Sequence, residues 1–164
     1  MGINRHTTLF FDASVLVAGA HSPDGGSGLL LAACKAGGFR AQTTFLILLE
    51  ALHALSGFPR GSLRRFNRLL IEVNWELLTV PSGKTLQEYS RYIDPKDVHV
   101  LAAAVEGEAQ FLLTLDRRHI LAASEAIKRA NLPIAILRPG DFIRQYYPRH
   151  EDYPLLPPAR EQSS

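Results

Sequence analysis

Apolar residues in this chain come in short dense runs separated by glycine, proline and charge. Thr7 to Phe11 is aromatic and β-prone, which predicts a buried strand. The turn formers Ser22 to Gly28 predict a loop, and Leu29 to Ala36 a helix stopped by Gly37-Gly38. Phe39 to Thr43 predicts a second strand. Phe45 to Leu55 is apolar almost all round, which predicts a buried helix, broken by Gly57-Phe58-Pro59. Leu63 to Val73 predicts an amphipathic helix, and Glu76 to Val80 a third strand ended by Pro81. Lys84 to Tyr92 predicts a short helix, and Asp97 opens another through Val105. Gln110 to Leu115 predicts a strand, Ala122 to Ala130 a helix, Pro133 to Leu137 a last strand and Pro139 to Tyr146 a last helix. Strands alternating with helices predict an α/β fold, a three-layer α/β/α sandwich around a central, mostly parallel sheet.

Against this pattern four acids stand out. Asp12 ends Leu9-Phe10-Phe11, Glu50 interrupts the apolar run from Phe45 to Leu52, Asp97 opens Val98 to Val105, and Asp116 ends Phe111 to Leu115. An isolated buried carboxylate costs several kcal/mol, so it needs a partner, a proton or a metal. No Lys or Arg lies within those runs to pair with all four. Ligands of parallel α/β sheets gather beyond the carboxyl ends of the strands, where Asp12 and Asp116 are predicted to lie. A cage for a hard divalent cation is the economical expectation, and it points to metal-assisted chemistry on phosphate.

At 164 residues the chain suits one domain, expected over residues 1 to 146. Residues 147 to 164 hold four prolines and are expected to form a poorly ordered or loosely docked tail. The net charge of +2 permits a nucleic-acid partner without arguing for one. One cysteine, Cys34, excludes an internal disulfide and fits a reducing compartment. With no run of 18 apolar residues, the expectation is a soluble, cytoplasmic protein and no membrane partner. The six histidines show no metal-ligand spacing, so no zinc site is expected, and His99 is read as a core or capping residue. Ser82-Gly83-Lys84-Thr85 mimics the end of a phosphate-binding P-loop, but the required first glycine would fall at Leu78.

The run Phe10-Phe11-Asp12-Ala13-Ser14-Val15-Leu16, a Glu within an apolar helix, Asp97-Val98-His99-Val100-Leu101-Ala102-Ala103-Ala104 and Leu113-Thr114-Leu115-Asp116 together resemble the PIN domain family. The resemblance covers residues 7 to 143 and looks closest to the toxin-like PIN proteins of the VapC type. It implies a ribonuclease cutting single strands with Mg²⁺ or Mn²⁺. Asp12, Glu50, Asp97 and Asp116 match the family's acidic set, and Ser14 and Thr114 match its supporting hydroxyls. The expected partners are an RNA substrate, an antitoxin protein and, as often in related domains, a second copy in a homodimer. Arg64, Arg65 and Arg68, with Arg117 and Arg118 beside the last acid, are candidate RNA contacts. Asp12 and Asp97 are expected to hold metal most directly, with Glu50 and Asp116 acting through water or at a second ion. Two alternatives belong to other classes. One is a non-catalytic RNA- or partner-binding module of the same fold. The other is an aspartate-nucleophile phosphohydrolase, which would want an acid where Ser14 stands.

Overall fold

Five strands of three to five residues pair in parallel throughout. The computed structural model describes residues 2–159. The strands are β1 (Thr8–Phe11), β2 (Arg40–Thr44), β3 (Trp75–Leu78), β4 (Phe111–Leu113) and β5 (Ala135–Leu137), in the order β3-β2-β1-β4-β5. Around them lie α1 (Ala13–His21), α2 (Gly26–Lys35), α3 (Phe45–Leu55), α4 (Arg60–Glu72), α5 (Gly83–Tyr89), α6 (Val98–Glu106), α7 (Ser124–Arg129) and α8 (Pro139–Gln145). The chain steps one way from β1 to β3, then crosses to β4 and β5 on the other side of β1. Right-handed crossovers therefore put α1 to α4 on one face and α5 to α7 on the other. Packing agrees, since α1 meets α2, α3 and α4, while α5 meets α6 and α8 returns against α2. This is the α/β/α sandwich the alternation predicts. The central strands β1 and β4 are apolar and buried on both sides, as parallel strands between helical layers must be.

The reversal of strand order falls between β1 and β4, which opens a crevice at their carboxyl ends. Phe11 is in register with Leu113. Beyond the strands, Asp12 N–H donates to Leu113 O at 3.1 Å and Thr114 N–H to Leu137 O at 3.1 Å. The sheet thus carries Asp12 and Thr114 one residue past its edge in fixed register.

Four expectations are corrected. Residues 13–21, assigned to no element in the sequence, form α1. The helix α3 is not buried all round. Ile47, Ala51 and Leu55 face the core, whereas Phe45, Leu46, Leu49 and Leu52 face solvent. The loosely docked tail is, over its described part, packed in place. Tyr147 is fully buried, its hydroxyl donates to Pro157 O at 2.5 Å, and His150 pairs with Ile3 as an isolated bridge. The helix α2 also begins inside the glycine-rich stretch predicted as loop. Gly28 has no room for a side chain there, because a Cβ would meet Pro23 O at 2.1 Å.

Candidate metal centre

Asp12 occupies the N-cap position of α1, and Asp97 that of α6, yet neither carboxylate caps its helix. An Asp so placed ordinarily accepts a main-chain N–H of the first turn. Both groups are kept for something else, while the helix ends still favour negative charge there.

Asp12 is 5% exposed. Its Oδ2 accepts the Ser14 hydroxyl at 2.9 Å and the Thr114 hydroxyl at 2.8 Å. Each hydroxyl is itself held. Ser14 Oγ accepts Leu115 N–H at 2.9 Å, and Thr114 Oγ1 accepts Asp116 N–H at 3.0 Å. Two short relays thus link the acid after β1 to the segment after β4, and they orient the Asp12 carboxylate. These are the two hydroxyls that the family resemblance implied as supports.

Glu50 comes from α3. The strand β2 runs straight into that helix, with Thr44 Oγ1 accepting Ile47 N–H at 3.1 Å as the N-cap. No loop intervenes, so α3 starts at the carboxyl edge of the sheet. The Glu50 side chain is 48% exposed, not enclosed as its apolar surroundings in sequence imply, because the apolar face of α3 is itself open. His99 Nε2 lies 3.5 Å from Glu50 Oε1.

Asp97 and Glu50 each feel neighbouring acids. Burial raises the Asp97 carboxyl above its ordinary value; Asp116 raises it further, Lys96 and His119 oppose this, and Asp12 adds to the rise. Burial likewise raises Glu50, against His99, with Asp12 and Asp97 contributing to the rise. Asp97 thus responds to the acids that follow β1 and β4, and Glu50 to Asp12 and Asp97. Asp97 Oδ2 is buried there with no hydrogen-bond partner. Among the described residues, Asp97, Asp116 and His119 bring ligand atoms within 4.8 Å of one another. An orphaned carboxylate oxygen amid coupled acids is what a site for a divalent ion presents.

His119 has no signal in sequence beyond its place after Arg117-Arg118, the candidate RNA contacts beside the last acid. Of the candidate RNA contacts, Arg64, Arg68, Arg117 and Arg118 are exposed. Arg65 is engaged within the fold: its Nε donates to Ala20 O at 2.6 Å and its Nη2 to His21 O at 3.3 Å.

The profile of the PIN domain family matches residues 8–118. The chain belongs to the PIN domain family. No curated protein sequence matches it. Among solved structures, it is similar to PAE2754 from Pyrobaculum aerophilum at 17% identity and a TM-score of 0.58, over 88% of this chain and 97% of that one. It also matches VapC20 of Mycobacterium tuberculosis, described as a sarcin-ricin loop cleaving toxin, at 16% identity and a TM-score of 0.44, over 63% of this chain and 86% of that one. At these identities the likeness speaks to the fold alone. Among the described residues no helix is long and apolar enough to cross a membrane.

Proposed function

We propose that this protein is a divalent-metal-dependent ribonuclease, working as the toxin of a toxin–antitoxin pair in the cytoplasm. The observation that carries the reading is the buried Asp97 oxygen without a hydrogen-bond partner, beside the ligand atoms of Asp116 and His119 within 4.8 Å; the charges of Asp12 and Glu50 act on the same region. Family membership supports it. Asp97 and Asp116 are the acids we assign to direct contact with Mg²⁺ or Mn²⁺. Asp12 joins them through Oδ1, since both hydroxyls engage its Oδ2. When bound, the ion supplies charge to stabilise the pentavalent phosphorus and to polarise the attacking water.

The chain's own residues do the rest. Ser14 and Thr114 hold Asp12 in one rotamer. Glu50, at the open side with its carboxyl raised, accepts the proton of the attacking water as the new P–O bond forms and the bond to the leaving nucleotide breaks. Arg117 and Arg118, directly after Asp116 and exposed, are suited to the flanking phosphates.

The test is cleavage of end-labelled single-stranded RNA by the purified chain with Mg²⁺ or Mn²⁺. EDTA should stop cleavage. Asp12→Asn should reduce it on the order of 100-fold or more with little change in the thermal melt. Undiminished cleavage by the variant rejects the site. Inducing the wild type, but not Asp12→Asn, should arrest a bacterial host, and co-expression of the adjacent reading frame should relieve the arrest. Growth unaffected by an active nuclease rejects the toxin role alone.

A further inference from the structure

After β4 the chain turns tightly. Asp116 Oδ1 accepts His119 N–H at 3.0 Å, and Asp116 O accepts Leu121 N–H at 2.9 Å. This turn swings the His119 ring back toward the acids. Its Nδ1 stands 3.4 Å from Asp116 Oδ2 and 3.7 Å from Asp97 Oδ2. Both distances exceed the usual N–H···O range of about 2.7–3.2 Å. A histidine serving only to neutralise these acids would close on one of them. This ring keeps only a long hydrogen-bond contact with Asp116 Oδ2 and leaves Asp97 Oδ2 without a hydrogen-bond partner.

The spacing suits a different arrangement. Donors sharing one six-coordinate ion at about 2.1 Å lie about 3.0 Å apart when adjacent and about 4.2 Å apart when opposite. Both His119 distances fall between those limits. We propose that His119 Nδ1 is a nitrogen ligand of the ion held by Asp97 and Asp116, and that it biases the site toward a first-row transition ion over Mg²⁺. This rests on the metal-dependent reading above and deepens it. The chemical reason is donor type. Mg²⁺ takes oxygen donors and parts with its waters reluctantly, whereas imidazole is a good ligand for transition ions.

Mn²⁺ is the probe, because it is paramagnetic and lies at the weak end of the transition series. Pulsed EPR of the Mn²⁺-loaded full chain should show ¹⁴N coupling from a directly bound imidazole. His119→Ala should abolish that coupling while Mn²⁺ still binds the acids. Titration calorimetry should show His119→Ala losing about 10-fold in Mn²⁺ affinity and far less in Mg²⁺ affinity, which narrows the preference. A melt of the ion-free variant near wild type keeps the comparison between folded proteins. Bound Mn²⁺ without ¹⁴N coupling overturns the assignment of His119. So does coupling that survives in His119→Ala, which would point to another ring such as His99. In either case, RNA cleavage by the wild type leaves the nuclease reading intact. Failure of every divalent ion to bind or to support cleavage removes both.

Discussion

Asp97 shows how the site weighs on the protein that carries it. Its side chain is only 17% exposed, and one of its oxygens is buried without a partner. Burial and the neighbouring Asp116 hold its carboxyl above the ordinary value near 3.9. A raised carboxyl keeps its proton to higher pH in the folded state than in the unfolded one. Stability of the ion-free protein therefore falls as pH climbs from the ordinary aspartate value through the raised one, and it levels off above. Asp97→Asn removes that fall. No helix cap is lost, because the Asp97 carboxylate does not cap α6. In EDTA at pH 7 the variant should melt a few degrees above wild type, at about 2–4 °C per kcal/mol for a chain this long. Added Mn²⁺ or Mg²⁺ should raise the wild type and leave the variant nearly unmoved. A variant that melts below wild type in EDTA contradicts the strain argued here. Thermal melts from pH 3 to 8, with and without the ion, decide it. At this scale the acids were legible because a charge inside an apolar run is costly and conspicuous. His119 was not, because only the turn that Asp116 makes with it brings the ring to the acids.

Among elements, α1 was the one the pattern concealed. Ala-Ser-Val-Leu-Val-Ala-Gly-Ala has no polar face and carries β-branched residues, so neither helical period nor propensity marks it. Its helix is a product of packing. Gly19 admits α2 so closely that a Cβ would sit 2.4 Å from Leu31 Cδ1. The converse error befell α3, whose apolar residues outnumber the core positions available to it. Apart from α1, strand and helix order were readable because punctuation by Gly and Pro survives such errors. One consequence concerns the arginines of α4, which look equivalent in sequence. Arg65 satisfies carbonyls at the C-terminal end of α1, where a helix leaves acceptors unpaired. Arg65→Ala should cost about 1–2 kcal/mol of stability in urea unfolding. Arg64→Ala and Arg68→Ala should stay within about 0.5 kcal/mol of wild type. RNA affinity should show the opposite pattern, falling for the two exposed arginines and with a shallower salt dependence. Equal stability losses at all three positions would remove the distinction.

For the whole molecule, the described residues near both ends pack on the core. Glu151 N–H donates to Ile3 O at 2.9 Å, and His150 bonds Gly38 O at 2.6 Å through Nε2. Asp152 N–H donates to His150 Nδ1 at 2.9 Å, so the ring is bonded at both nitrogens and packs edge-on against Phe39. Tyr147 fills the space between Phe39 and Tyr153. Four prolines hid this in the sequence, since proline density reads as disorder when the partners lie more than a hundred residues away. The docked segment bonds Ile3 and Gly38, ahead of the amino ends of β1 and β2, whereas Asp12 and Asp116 follow the carboxyl ends of β1 and β4, so its effect should be on stability and not on chemistry. Tyr147→Ala removes a fully buried aromatic side chain, a loss of about 3–5 kcal/mol. Against a typical total of about 5–15 kcal/mol, that is a large share. The urea midpoint should drop accordingly, whereas cleavage per folded molecule at low temperature should stay near wild type. A midpoint that barely moves would mean the segment is not seated on the core in solution, and a loss of cleavage without a loss of stability would tie it to the site instead.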